Sequence, residues 1–320
     1  MRDGVEMSYD EAKSLAKKYF DEGQCAKVEA LPLESAIRKF QPGSEDLADF
    51  QRGYESNFEQ ADWEVRLSGN PQDLRQLNDL PGGADYFRIF GGVDHWHDCP
   101  SDEYSFNSSY FALQNDPIAV INIAQELVNL FNSAAELFRK DYDKQRITGV
   151  YFKGRPVNIR KQPVGWGLLG RLPMSPNRWN EMMESAMLSG PRLPILLLAT
   201  EHSDVQQILR YLALPADWGT YYKLLETLET YAARNGTPFP NKYAARSAFT
   251  NNANNYSVTG LGARHGEQEE KRPNTVKPMS LEEAHTFITG VCKLYFNTVY
   301  GKYFAFEVPP GIKLADKKAS

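Results

Sequence analysis

The stretch Trp63-Glu-Val-Arg-Leu67 alternates apolar and polar residues with a period of two, which predicts a strand with one buried face. A short helix is expected next, from Pro71 to Leu80, because its apolar residues lie three apart. A second strand is predicted at Tyr86-Phe-Arg-Ile-Phe90 and is closed by Gly91-Gly92. A third strand is predicted at Ser109-Tyr-Phe-Ala-Leu113. These segments begin the pattern that decides the fold.

A long amphipathic helix and a fourth strand complete this pattern. The helix is predicted from Pro117 to about Lys140, with apolar residues along one face. The strand is predicted at Ile147-Thr-Gly-Val-Tyr-Phe152. The order β-α-β-β-α-β is that of a ferredoxin-like unit. The sequence therefore predicts the α+β class, with a ferredoxin-like βαββαβ module followed by an α-helical bundle.

Three regions are expected along the chain of 320 residues, because one hydrophobic core usually serves about 100 to 200 residues. Residues 1–60 form a helical leader, in which helices are predicted at Ser8 to Tyr19 and Leu33 to Phe40. Residues 61–190 form the α+β domain with a basic arm. Residues 191–320 form the helical bundle.

Helical periodicity dominates the last region, and fitting start and stop signals separate its segments. Ser280 and Glu283 have the spacing of a capping box at the start of the last helix. Four helices make a bundle of ordinary size. They are predicted at Leu193 to Leu214, Trp218 to Ala233, Lys242 to Ala253 and Ser280 to Tyr300.

The composition, 42% hydrophobic and 24% charged, is typical of a globular protein. No run approaches the roughly 18 apolar residues that a bilayer span needs, so no membrane association is expected. The first residues become acidic at once and lack the apolar core of a signal peptide, which favours the cytoplasm. The three cysteines, Cys25, Cys99 and Cys292, lie far apart without a CxxC pair, which argues against a disulfide framework or a cysteine-only zinc site.

The charge is unevenly distributed. Residues 1–62 hold 8 basic and 14 acidic side chains, whereas residues 146–192 hold 8 basic and 2 acidic ones. The basic stretch interleaves aromatic residues with cations, a combination that can hold a nucleic-acid backbone while it stacks bases. Single-stranded RNA is therefore a candidate partner, although the cations could instead face the acidic leader or simply be solvated. The candidate nucleic-acid-binding residues are Lys153, Arg155, Arg160, Lys161, Arg171 and Arg178.

Two other clusters contain residue types found in chemical sites, but their spacing does not favour such sites. His95-Trp-His97, followed by Asp98 and Cys99, contains zinc-ligand types but has no second cluster to complete a site. Glu201-His-Ser-Asp204 contains the residue types of a hydrolase triad, but in a continuous helix these side chains diverge. Neither Gly91-Gly92 nor Gly260-x-Gly262 has the sequence pattern of a phosphate-binding loop. No metal and no cofactor are expected.

A resemblance to a known family covers about a third of the chain. It is carried by Trp218 to Leu224 with Glu226, by Ala263-Arg-His-Gly266, and by the helix that starts at Ser280. These segments resemble the C-terminal helical region of uncharacterised bacterial proteins, which is similar to the HEPN and abortive-infection domains of antiviral defence systems. The resemblance implies a helical domain that dimerises and binds or cleaves RNA.

The resemblance also indicates candidate catalytic residues. HEPN nucleases pair an arginine with a histidine four to six residues later, across a dimer interface, and cut RNA without metal. Arg264 and His265 are the matching types, and Arg246 is a third candidate. Arg264 and His265 depart from the family spacing because they are adjacent, and neighbours on a helix point about 100° apart. They would share a site only on a loop or across subunits.

Two functions remain open at this level. In the first, a defence-type protein binds or cleaves RNA through its helical half, while the α+β half binds a ligand or regulates. In the second, the chain is a non-catalytic protein-interaction or ligand-sensing module, and Arg264 and His265 bond nearby helix ends in a surface loop.

Overall fold

A computed structural model describes most of the chain beyond residue 62. The predicted leader helices, Ser8 to Tyr19 and Leu33 to Phe40, lie outside the described residues. The described part is mixed α+β, with a five-stranded antiparallel sheet and nine α-helices. The structure describes residues 63–78, 86–94, 99–111, 114–139, 142–158, 169, 176–188, 190–239, 244–266, 278–303, 305–310 and 312.

The strand order in the sheet is β2-β3-β1-β4-β5. Strands β4 and β5 form a tight hairpin around Lys153 and Gly154, which both have a positive φ, 49° and 72°. The strands are β1 (Trp63–Ser68), β2 (Arg88–Asp94), β3 (Cys99–Asn107), β4 (Arg146–Phe152) and β5 (Arg155–Pro156).

The chain divides into two compact units that interleave along the sequence. The sheet unit comprises Met1–Leu67, Asp85–Ile121 and Thr148–Gln162. The helical unit comprises Ser68–Ala84, Asn122–Ile147 and Pro163–Ser320.

The core of the sheet unit is aromatic. Trp63, Val65 and Leu67 are buried while the residues between them are not, which confirms the strand that the alternation predicts. Val65 is paired with Phe106 of β3, and the Phe106 ring stacks on Phe87 with ring centroids 4.7 Å apart. These contacts fix the register of β1 against β3, because a slip by one residue would expose the buried side chains.

The prediction of a third strand at Ser109–Leu113 is wrong. The strand is β3, Cys99–Asn107, which pairs with β2 on one side and β1 on the other. A turn follows it, in which the Phe111 amide donates to the Ser108 carbonyl over 2.8 Å. Phe111 is buried against Phe106, with ring centroids 5.6 Å apart, so its hydrophobicity reflects a packed turn. Pairing from two sides imposes β3 on a sequence with little alternation.

The prediction that Gly91-Gly92 closes the second strand is wrong. Strand β2 continues to Asp94, and its register against β3 shifts between Gly91 and Val93. Both glycines have a positive φ, 107° and 80°. A Cβ on Gly92 would lie 2.6 Å from the Tyr104 ring, so only glycine fits this bulge.

Nine α-helices lie among the described residues, and they are numbered in chain order. Helix α2 begins in the sheet unit and continues into the helical unit, to which α1 and α3–α9 belong. The helices are α1 (Pro71–Asn78), α2 (Pro117–Glu136), α3 (Pro176–Leu188), α4 (Arg192–Glu201), α5 (Ser203–Ala213), α6 (Trp218–Arg234), α7 (Ala244–Asn254), α8 (Tyr256–Thr259) and α9 (Leu281–Tyr300). A 3-10 turn, Gly260–Gly262, follows α8.

The prediction of one continuous helix from Leu193 to Leu214 is wrong. Helix α4 ends at Glu201 and α5 begins at Ser203, because His202 between them is extended, with φ −118° and ψ 111°. Asp204 lies in the first turn of α5, where a carboxylate is favourable beside the helix N-terminus. The apolar periodicity runs across the break and therefore hides it.

Helix α9 combines a defined N-terminal cap with a buried face. Ser280 and Glu283 form the predicted capping box, with hydrogen bonds of 3.1 Å and 2.7 Å. Phe287, Ile288 and Val291 are buried along one face, whereas Leu294, which continues their spacing, is half-buried. The Cys292 thiol is also fully buried, and burial raises its pKa well above the usual range. Among the described helices, none combines the length and hydrophobicity needed to cross a bilayer.

Candidate functional site

Helix α6 is the support of the candidate site. Asp217 caps it, since its carboxylate accepts a hydrogen bond from the Thr220 amide over 2.6 Å. Its inner face buries Trp218 and Leu225, and the Tyr221 hydroxyl lies 2.7 Å from Nδ1 of His285 in α9. Burial raises the pKa of Tyr221 to about 12. These contacts hold α6 against the core, so its outer face is a fixed platform.

The segment after α7 folds back on the end of that helix. The Asn252 side chain is fully buried, donates to the Ala248 carbonyl over 2.8 Å and accepts from the Met279 amide over 3.0 Å. The Thr259 hydroxyl donates to the Asn252 carbonyl over 3.0 Å. The Arg264 amide donates to the carbonyl of Ala253 over 2.7 Å. This asparagine-rich end of α7 therefore fixes where the loop leaves the 3-10 turn.

Arg264 lies on the outer face of α6. Its Nη1 donates to Glu226 Oε1 over 3.1 Å, and its guanidinium carbon is 4.3 Å from the centroid of the Tyr222 ring. The side chains of Arg264 and Glu226 are 37% and 47% exposed, so solvent reaches this ion pair. The cation–π contact with Tyr222 holds the guanidinium against α6 while solvent still reaches it.

Arg246, at the start of α7, also contacts α6. Its guanidinium forms an ion pair with Glu229, and the side chains of Arg246 and Glu229 are 23% and 35% exposed. Tyr222, Glu226 and Glu229 are spaced four and three residues apart, a spacing that puts them on one face of a helix. The structure therefore brings the two arginines, predicted from distant parts of the sequence, to the same face of α6.

His265 follows Arg264 outside any helix. Residues 263–265 form a bend after the 3-10 turn, and both Arg264 and His265 are exposed. The divergence of about 100° that a helix imposes on neighbouring side chains does not apply there. The condition under which the sequence allows these residues to share a site, a position on a loop, is therefore met. The Arg264 side chain bonds Glu226 in the middle of α6, whereas the Arg264 amide bonds the Ala253 carbonyl at the end of α7.

The side chains of α6 that complete the cluster were not predicted as site residues, although Tyr222 and Glu226 belong to the segments that carry the family resemblance. Tyr222, Glu226 and Glu229 have the spacing of one helix face, and that spacing was the available signal. Their partners could not be predicted, because Glu226 and Arg264 are 38 residues apart in sequence.

The described candidate nucleic-acid-binding residues are divided between the two units. Lys153 and Arg155 belong to the β4–β5 hairpin of the sheet unit, where the Lys153 ammonium is 5.4 Å from the centroid of the Phe152 ring. Arg178 belongs to α3 of the helical unit and donates to Glu181 over 3.2 Å. The remaining three candidates, Arg160, Lys161 and Arg171, lie outside the described residues.

Asp204, one of the residues with hydrolase-triad types, has a structural role. Asp204 is buried and accepts hydrogen bonds from the hydroxyls of Tyr295, over 2.5 Å, and Tyr300, over 2.8 and 2.9 Å. Burial, together with the hydrogen bonds and charge of Asp204, raises the pKa of both hydroxyls well above the usual range. Asp204 is thus occupied by two tyrosines that stay protonated.

A second buried carboxylate belongs to Glu126 of α2. It is fully buried and forms an ion pair with Arg210 of α5, whose Nε donates over 3.0 Å. Its other oxygen accepts the Leu169 amide over 3.2 Å. Glu126 therefore has partners for both oxygens, as a buried charge requires.

Among the described residues, no group of three or more histidine, cysteine, aspartate and glutamate side chains could hold a metal ion. His95, His97 and Asp98 lie outside those residues. Comparisons with known proteins identify no relative, since no family model, no curated protein and no solved structure matches the chain.

Proposed function

We propose that the chain binds single-stranded RNA through its helical unit and cleaves it at Arg264 and His265, as the resemblance to defence-type HEPN domains implies. One observation carries this proposal. Arg246 and Arg264 converge on the outer face of α6, and the exposed His265 is adjacent to Arg264 in a bend. Two guanidinium groups beside an imidazole are the groups that phosphodiester cleavage needs.

The roles follow from the chemistry of these side chains. The imidazole of His265 accepts the proton of a ribose 2′-hydroxyl as its oxygen forms a bond to phosphorus. The bond from phosphorus to the 5′-oxygen breaks, and that oxygen takes a proton from water. The products are a 2′,3′-cyclic phosphate and a 5′-hydroxyl. Arg264 and Arg246 stabilise the negative charge that develops on the phosphate oxygens.

The rest of the molecule belongs to the same proposal. The sheet unit is ferredoxin-like, which the order β4-β1-β3-β2 of its first four strands supports. It binds a ligand or regulates the helical unit. The basic residues Lys153, Arg155 and Arg178 contribute phosphate contacts. The protein acts in the cytoplasm as a homodimer formed through the helical unit.

Cleavage of a labelled single-stranded RNA by purified protein tests this proposal. His265→Ala is expected to lower the cleavage rate by about 100-fold or more, since a positioned general base contributes that much. Arg264→Ala is expected to lower the cleavage rate and, in addition, to weaken RNA binding. Arg234→Ala is the matched control, because Arg234 lies on the same helix, with its guanidinium carbon 5.5 Å from the centroid of the Tyr231 ring, but outside the cluster.

The control is expected to keep the wild-type rate, and circular dichroism shows whether each variant is folded. Equal cleavage by the wild type and His265→Ala would refute the assignment of the base. Undetectable cleavage by folded wild type would refute the nuclease activity.

A second candidate function is a non-catalytic interaction or ligand-sensing module. The observation that favours it is that each arginine of the cluster has a glutamate partner on α6, which leaves the four charges balanced. A balanced surface attracts a polyanion weakly. Failure of the folded wild type both to bind and to cleave RNA at low salt would favour this function.

A further inference from the structure

The carboxylates of Glu226 and Glu229 occupy the arginines that the proposed function assigns to RNA phosphate. Glu226 Oε1 is 3.1 Å from Arg264 Nη1, and Glu229 forms the corresponding pair with Arg246. Carboxylate and phosphate oxygens compete for the N–H donors of a guanidinium. Each arginine can therefore offer all of its donors to a phosphate only after its glutamate leaves.

The exposure of the Arg264–Glu226 pair makes such an exchange easy. Both side chains are more than a third exposed, and ion pairs at such positions are weak because water and salt screen them. The contact of Arg264 with the Tyr222 ring does not involve Glu226, so it remains when the carboxylate leaves. Arg264 thus keeps one contact with α6 during the exchange.

We propose that Glu226 and Glu229 form an autoinhibitory contact, in which they hold Arg264 and Arg246 until phosphates of a single-stranded RNA replace them. This inference rests on the proposed RNA binding. It makes the two glutamates internal competitors of the substrate, so that a single isolated anion is held poorly. A strand that presents several phosphates can displace both carboxylates together.

Glutamine substitutions isolate this effect because they keep the shape of the side chain and remove its charge. Binding is measured by fluorescence anisotropy with a labelled 2′-O-methyl single-stranded RNA, which lacks the attacking hydroxyl and stays intact. Glu226→Gln and Glu229→Gln are each expected to tighten binding about two- to fivefold, which corresponds to the loss of an exposed ion pair. The double variant is expected to bind more tightly than either.

The salt dependence gives a second signature. In the wild type each arginine brings its glutamate near the phosphate, so the pair adds no net charge. Each glutamine leaves one uncompensated positive charge, which should steepen the slope of log Kd against log salt by about 0.7 for a single strand. Glu103→Gln is the matched control, because Glu103 lies 3.9 Å from Arg66 in the sheet unit and the change in net charge is the same.

The outcomes separate the inference from the function on which it rests. Tighter binding and a steeper slope for the α6 variants, but not for Glu103→Gln, would establish the autoinhibitory contact. Wild-type binding that the α6 variants leave unchanged or weaken would overturn the inference alone. Absence of binding by every protein would overturn the proposed function and the inference with it.

Discussion

The helical unit contains carboxylates in two settings, and they differ in what they can do. Glu126 and Asp204 are buried, and their oxygens are held by partners from other elements of the unit. Glu226 and Glu229 lie on the outer face of α6. The Glu226–Arg264 pair is open to solvent, whereas the Oε1 atom of Glu229, which pairs with Arg246, is buried. All four groups are carboxylates, so their burial and their partners separate them.

This difference indicates which charges maintain the fold and which are available for function. A buried carboxylate that loses a partner keeps the full cost of desolvation, so its network resists change. An exposed carboxylate regains water when its partner leaves, so its partner can be exchanged. The Arg264–Glu226 pair of the candidate site is of the second kind.

The largest effect is expected from breaking the buried pair of Glu126. Arg210→Met removes the cation, keeps most of the side-chain volume, and leaves a fully buried carboxylate uncompensated. The free energy of unfolding should fall by about 3–5 kcal/mol. Urea denaturation followed by circular dichroism measures it. Glu126→Gln combined with Arg210→Met should recover part of the loss, and an unchanged midpoint for Arg210→Met would contradict the buried ion pair.

A smaller effect is expected at Asp204. Tyr300→Phe removes a hydroxyl that donates to the buried carboxylate, while Tyr295 continues to donate. The unfolding free energy should fall by about 1–3 kcal/mol, the cost of leaving a buried acceptor with fewer partners. Tyr303→Phe is the control, since Tyr303 is only half-buried and makes no described contact with Asp204. Equal stability of the two variants would show that Asp204 does not depend on Tyr300.

The smallest effect on stability is expected from Glu226, whose ion pair with Arg264 is exposed. Replacing Glu226 by glutamine should change the unfolding free energy by less than about 1 kcal/mol, because exposed ion pairs contribute little. The same denaturation experiment measures it. A loss comparable with that of Arg210→Met would erase the distinction between the two settings and make the Arg264–Glu226 pair part of the fold.

The sequence predicted elements whose pattern follows from their own burial. Strand β1 alternates because one of its faces is buried, and α9 starts where Ser280 and Glu283 form a capping box. Strand β3 was missed because its partners on both sides impose it. The break at His202 was missed because the apolar pattern continues through it.

The candidate site could be predicted only in part for a similar reason. The family resemblance indicates Arg264, His265 and Arg246 by the types of their side chains, which a sequence displays. Their pairing with Glu226 and Glu229 depends on how α7 and the following loop pack on α6, which a sequence does not display. Long-range ion pairs are therefore the part of the site that required a structure.

Cys292 can serve as a chemical probe of local opening in the helical unit. Its thiol is fully buried in α9 and its pKa is raised, so the reactive thiolate is scarce and shielded from reagents while the unit is closed. Alkylation of this sulfur must wait for an opening that exposes α9. Its rate therefore reports how often that part of the core opens, a quantity that equilibrium unfolding does not resolve.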